Sequence, residues 1–198
     1  MKVHVPVGED EVIRKNMELS QRKDFSAADL ERLPEHVRAD LIDGQIFYFA
    51  SPKVIHQKII GKLYAKLEQY IGSHQGKCQA FVSPIAVRLD CDDKTAVEPD
   101  VIVVCDEEKI QEDACYGAPD LVIEVTSRST RQRDYGLKMI KYREAGVKEY
   151  WIIEPERRVM VVYWFEDERK NDLYSFEDEV SFYLFPDLRF RMDDLIGN

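Results

Sequence analysis

Apolar positions recur along the chain with two different periods, and the change from one to the other marks out its elements. From Val54 to Ile71, the residues Ile55, Ile59, Ile60, Leu63, Leu67 and Ile71 keep the 3.6-residue spacing of an amphipathic helix, and Gly72 is the expected stop. Upstream, SAADLERLPEH offers Ser26 as the N-cap of a short helix ended by Pro34. In RADLIDGQIFYFASP the pair Asp43-Gly44 stands between two apolar stretches and predicts a β-hairpin. Three β-like runs follow the long helix: QAFVSPIAVRL, VIVVC and LVIEV. The last two, each introduced by a Pro-Asp pair at 99–100 and 119–120, lack polar alternation and predict strands buried on both faces. Residues 130–145 are helical by composition, with Gly146 as the stop before the aromatic strand VKEYWIIE. Beyond Pro155 the chain predicts further strands, RVMVVYWF, DLYSF and SFYLF, and an acidic, hydrophobic close at RMDDLIGN.

Helix, three strands, helix, strand is the order of an α/β fold. Residues 1–25 are polar and weakly patterned, so an N-terminal arm is expected there and one domain over 26–198, with no repeat or low-complexity tract.

Composition narrows the function classes. No apolar run approaches the ~20 residues that span a bilayer, and the N-terminus lacks the apolar core of a signal peptide, so a cytoplasmic setting without membrane contact is expected. Cys78, Cys91, Cys105 and Cys115 form no CxxC pair, which predicts reduced thiols and neither a zinc site nor a disulfide framework. The net charge of −10 argues against a grip on nucleic acid by bulk electrostatics, so any phosphate contact must be local.

Glu124 is the most informative residue, because in LVIEV every neighbour is apolar and a lone carboxylate there would be desolvated at a cost of several kcal/mol. Its partner is either a cationic side chain or a metal shared with a second carboxylate. Asp100, at the head of VIVV, supplies that second carboxylate if the two runs lie side by side, though Pro-Asp before a strand is most often a turn. On the following helix Asp134, Lys138 and Tyr142 recur every four residues and form one stripe, from which Lys138 can reach over the sheet. Arg131, Arg133 and Lys141 on this helix, with Lys58, Lys62 and Lys66 on the first, are the candidate contacts to a phosphate backbone, and equally could be solvated faces. His56 falls within the apolar arc of the first helix, which favours a satisfied core histidine over a site residue.

The stretches PDVIVV, PDLVIEVTS and RDYGLKMIKYREAGVKEYWIIEP, with DLIDGQI and the histidine at the start of the first helix, resemble the Uma-type restriction endonuclease family of the PD-(D/E)XK superfamily. The resemblance runs from about Leu30 to Pro155. It implies a restriction-endonuclease-like core, a central mixed sheet flanked by helices, here with extra C-terminal strands. It also implies a metal held by Asp100, Glu124 and the carbonyl oxygen of Val125, with Lys138 as the catalytic lysine. Two departures stand out: Thr126 occupies the superfamily's E-x-K lysine position, and Asp40 replaces the usual Glu before the hairpin.

The expected activity is Mg²⁺-dependent hydrolysis of DNA phosphodiesters, with Mn²⁺ as substitute ion and Asp40, His56, Asp134 and Tyr142 as accessory groups. The alternative is an inactive nucleic-acid-binding or assembly module with the same fold. The aromatic runs YWII and VVYWF either pair two copies into a homodimer or cap the core.

Overall fold

The computed structural model describes residues 24–34, 37–89, 93–167 and 170–197; the expected N-terminal arm lies outside them except for Asp24 and Phe25, as does Cys91. The chain forms two units, one from the described residues of 1–50 and 90–97, the other from 51–89 and the described residues of 98–198.

In the first unit, Ser26 opens α1 (Ala27–Glu31) and donates both its N–H and its hydroxyl to the Asp29 carboxylate, at 2.8 and 2.9 Å. Strands β1 (Ala39–Ile42) and β2 (Gln45–Tyr48) form the expected hairpin. Asp43 and Gly44 both take the left-handed backbone of its two-residue turn, with φ of 50° and 73°. The two-residue β5 (Ala96–Val97), which no sequence run announces, pairs antiparallel with β1 through Leu41 and Ala96. Phe25, Ala27, Ala39, Leu41, Ile46 and Ala96 make this unit's own small core.

The second unit is built around a six-stranded sheet. Its strands are β3 (Gln79–Val82), β6 (Val101–Val104), β8 (Leu121–Val125), β9 (Glu149–Glu154), β10 (Val159–Trp164) and β11 (Asp172–Ser175), in the order β11-β10-β9-β8-β6-β3. All neighbours are antiparallel except β8 and β9. A parallel pair needs a crossover, and the segment between β8 and β9 supplies it as α3 (Arg131–Arg133), a π-helical segment (Asp134–Lys138) and α4 (Met139–Ala145). The expected single helix over 130–145 is therefore wound wider at its centre, and Gly146 ends it in the left-handed conformation at φ 94°.

The long helix α2 (Val54–Ser73) runs past its expected stop at Gly72; the residue that turns left-handed is Gln75, at φ 51°. Its buried Ile59, Ile60, Leu63, Leu67 and Ile71 pack against Val101, Val103, Leu121, Ile123 and Val125. Because successive strand residues face opposite sides, Val122, Glu124, Tyr150 and Ile152 belong to the other face, under the crossover, where the Tyr142 and Tyr150 rings lie 5.0 Å apart. Strands β6 and β8 are buried at every residue, as their unbroken apolar runs predict.

Three expectations are corrected here. QAFVSPIAVRL is two strands, β3 and β4 (Ala86–Arg88), divided at Ser83-Pro84, and β4 pairs in parallel with the unannounced β7 (Ala114–Tyr116). Cys78 and Cys105 form a disulfide rather than two thiols: Cys78 precedes Gln79 and Cys105 follows Val104, so the antiparallel β3/β6 register carried one step beyond the Gln79–Val104 pair sets them opposite each other. Cys115 is the free cysteine among the described residues, buried, its thiol pushed up to about 11 by that burial. SFYLF is not a strand beyond Ser181, the end of β12 (Val180–Ser181), which pairs with β13 (Arg189–Phe190) ahead of the closing α5 (Met192–Ile196). Its Tyr183 and Leu184 N–H groups donate instead to the buried Glu149 carboxylate, at 2.9 Å each, which the Trp151 indole N–H also reaches at 2.7 Å. The YWII run is consumed in the core, with Trp151 against Phe182 and Phe190.

Candidate active site

The antiparallel ladder between β6 and β8 pairs Val103 with Leu121, Ile102 with Val122 and Val101 with Ile123. Carried one residue further, the same register sets Asp100 across from Glu124. Directly opposed residues of an antiparallel pair hold their side chains close on one face. At this point the ladder stops being a backbone ladder: the Asp100 carboxylate, not a carbonyl, accepts the Val125 N–H at 2.7 Å. A strand residue sends its N–H and C=O to the same side, so the Val125 carbonyl faces the same gap.

Glu124 keeps only 5% of its surface exposed and its neighbours on β8 are apolar, as expected. Its cationic partner is Lys138, whose Nζ lies 2.6 Å from Oε1, and the Tyr142 hydroxyl donates to the same oxygen at 2.7 Å. Two of the three residues of the helical stripe read from the sequence, Lys138 and Tyr142, thus converge on one carboxylate. The π-helical segment contains both Asp134 and Lys138 and buries both.

Asp134 points elsewhere. Burial raises its carboxyl above the ordinary value, opposed by the Lys138 charge and by hydrogen bonds from the Thr126 and Thr130 side chains. Thr126, in the position where the superfamily carries its lysine, is thus a support for the crossover helix. The Tyr150 hydroxyl donates to the Asp134 backbone carbonyl at 3.0 Å and ties that helix to β9.

His56 is a correction to the core-histidine expectation. Half-buried at the start of α2, it places Nε2 3.2 Å from Asp100 Oδ2, while its buried Nδ1 has no hydrogen-bond partner among the described residues. Asp40 is fully buried on β1 of the first unit, opposite Phe47. Of the candidate phosphate contacts, Lys58 and Lys62 are exposed, and Lys66, Arg133 and Lys141 are half-buried, Lys141 with Glu144 at 3.8 Å. Arg131 is held by Glu154 at 2.9 Å and lies over the Tyr135 ring.

Sequence reasoning passed over Glu154. In register Glu124 pairs with Ile152, so Glu154 shares the face of Glu124 on the neighbouring strand. Burial pushes its carboxyl up, but the Arg131 and Tyr135 hydrogen bonds, the latter at 2.6 Å, outweigh this and hold it below its usual value. The signal was present: EYWIIE brackets an apolar strand with carboxylates as LVIEV encloses one.

Among the described residues no three His, Cys, Asp or Glu side chains gather as a metal cage. Mg²⁺ commonly takes one or two carboxylates and completes its shell with water and substrate phosphate, so a two-carboxylate site fits its chemistry. Asp100 Oδ1 accepts no hydrogen bond among the described residues, and the Val125 carbonyl lies at the same gap.

A mixed sheet with one parallel crossover step and helices on both faces is an α/β architecture. A crystal structure described as "a putative nuclease belonging to DUF820" from Anabaena variabilis superposes with a TM-score of 0.72 at 19% identity, covering 87% of this chain and 98% of that one. The family model described as "Putative restriction endonuclease" (Uma2) matches residues 27–192, and the chain belongs to that family. No curated protein matches it. No helix among the described residues is long and apolar enough to cross a membrane.

Proposed function

We propose that this protein is a Mg²⁺-dependent DNA endonuclease in which Asp100, Glu124 and the Val125 carbonyl hold the ion and Lys138 orients the attacking water. The observation that supports the reading is the Asp100 carboxylate accepting the N–H of Val125, the residue after Glu124, at the end of the β6/β8 ladder, with the Lys138 ammonium 2.6 Å from Glu124. When bound, the ion supplies charge neutralisation on the phosphate and acidifies a water toward neutral pH. The rest falls to the chain's own residues. Asp100, held through Oδ2 by the Val125 N–H and His56, leaves Oδ1 to take the ion. Lys138, buried with its Nζ 2.6 Å from Glu124, is the side chain that would orient the attacking water beside that carboxylate. Tyr142 fixes the Glu124 carboxylate from below, so that its orientation is set before substrate arrives.

One observation favours the rival reading of an inactive binding module: Lys138 and Tyr142 already satisfy Glu124 Oε1. Incubation of the purified chain with plasmid DNA in Mg²⁺, Mn²⁺ or EDTA separates the two. Nicking or linearisation with either ion and none in EDTA is expected. Binding without cleavage in both ions would sink the hydrolytic reading.

A further inference from the structure

We infer that Lys53, Arg128 and Glu156 form a phosphodiester clamp beside the acidic pair, in which the Glu156 carboxylate stands where a backbone phosphate of nucleic acid lands. The inference rests on the reading of the protein as one that handles nucleic acid, and it adds residues which neither basic helix stripe contains.

Glu156 lies in the turn between β9 and β10 and holds two cations at once: Lys53 Nζ at 2.7 Å from Oε1 and Arg128 Nε at 2.8 Å from Oε2. These cations come from distant parts of the sequence, the residue capping α2 and the loop between β8 and α3. Their side chains are 69% and 91% exposed. Ion pairs so exposed contribute little to stability, which leaves the convergence of two cations on one carboxylate without a folding explanation. A phosphodiester offers the same handle as that carboxylate, two oxygens sharing one negative charge, and Arg and Lys are the side chains that bind it.

Both cations stand close along the chain to residues that hold Asp100. Lys53 is three residues before His56, which lies 3.2 Å from Asp100, and Arg128 is three residues after Val125, whose N–H Asp100 accepts. Arg128 also lines a shallow open cleft with Arg131, Gln132, Tyr135 and Gly136, which extends the basic surface away from the clamp. In a chain of net charge −10, such a local convergence is the kind of contact that bulk electrostatics does not supply. Glu156 both preorganises the cations, which would otherwise repel each other, and competes with the phosphate for them.

The test is fluorescence anisotropy of the full chain with a labelled DNA duplex in EDTA, across about 50 to 200 mM NaCl, for wild type, Lys53→Ala/Arg128→Ala and Glu156→Gln. One phosphate contact contributes about 0.9 to the salt slope, so the double variant should bind about eightfold more weakly near 0.1 M salt, with a slope shallower by about 0.9. Glu156→Gln should bind up to about fivefold more tightly, since an exposed ion pair no longer has to be exchanged, with its melting temperature unchanged. Wild-type affinity and slope in the double variant would overturn the clamp. So would a Glu156→Gln protein that melts lower and binds no more tightly, which is the behaviour of a structural staple. Plasmid cleavage in Mg²⁺ is read in parallel. Loss of the hydrolytic reading with these binding shifts intact leaves the clamp standing, and cleavage with no shifts removes the clamp alone.

Discussion

Replacing Lys138 by Met keeps the buried stem and removes only the ammonium, which makes it a sharp probe of the site. Lys138 is 2% exposed and its Nζ lies 2.6 Å from Glu124 Oε1, so the change leaves a carboxylate in an apolar sheet without its facing cation. Breaking a buried pair from one side costs about 3–5 kcal/mol. For a domain of this size each kcal/mol moves the melting temperature by about 2–4 °C, so a drop of roughly 6–20 °C is expected in EDTA. If Glu124 is also a metal ligand, Mg²⁺ can take over the missing charge. At about 100 times its dissociation constant the ion returns about 2.7 kcal/mol, roughly half or more of the loss. Differential scanning fluorimetry with and without Mg²⁺ reads both numbers on one sample. DNA cleavage by the variant should fall by about two orders of magnitude or more, the range for one lost positioned catalytic group. Lys141→Ala is the control, a lysine on the same helix beside Glu144. A Lys138→Met protein that melts with wild type, gains nothing from Mg²⁺, or cuts at the wild-type rate would refute the reasoning. So would a Lys141→Ala protein that loses as much activity.

Three further outcomes are expected. Glu124→Gln preserves shape but removes the negative charge, so Mg²⁺ should no longer raise its melting temperature; an undiminished metal shift would make Glu124 a purely structural residue. Burial raises the Glu149 carboxyl above 4.5 despite hydrogen bonds from Trp151, Leu184 and Tyr183, so the fold favours its protonated form. That contribution is fully present below the unfolded value and is lost as pH rises through the folded one. Glu149→Gln should therefore cost most near pH 4 and progressively less toward pH 7, and urea midpoints showing a pH-independent difference would contradict this linkage. Leu63→Ala removes a fully buried side chain of α2 from the sheet, and should cost about 2–5 kcal/mol in urea unfolding with the slope unchanged; a loss under 1 kcal/mol would mean that the helix–sheet interface is loosely packed.

Much of this protein is legible in order along its chain. The period of Ile59, Leu63 and Leu67 determined α2, Asp43-Gly44 the hairpin turn, and the unbroken apolar runs the buried β6 and β8. The lone carboxylate in LVIEV and the four-residue spacing of Lys138 and Tyr142 were enough to select the residues that meet. These are local signals, set by the pitch of a helix, the pleat of a strand and the cost of burying a charge.

Pairings between distant segments were decided only by tertiary structure. Neither VIVV nor LVIEV carries in itself the register that sets Asp100 opposite Glu124, because a shift along the ladder leaves each strand's own pattern unchanged. The same holds for Cys78 against Cys105, for His56 turning to Asp100, and for Phe182–Phe185, which looks like a strand until Glu149 takes its N–H groups. The widened turn at Asp134–Lys138 likewise appears only where the crossover must close over β8 and β9. Local preference follows from a residue and its near neighbours, whereas register, disulfide partner and hydrogen-bond acceptor depend on which surface the rest of the chain brings opposite.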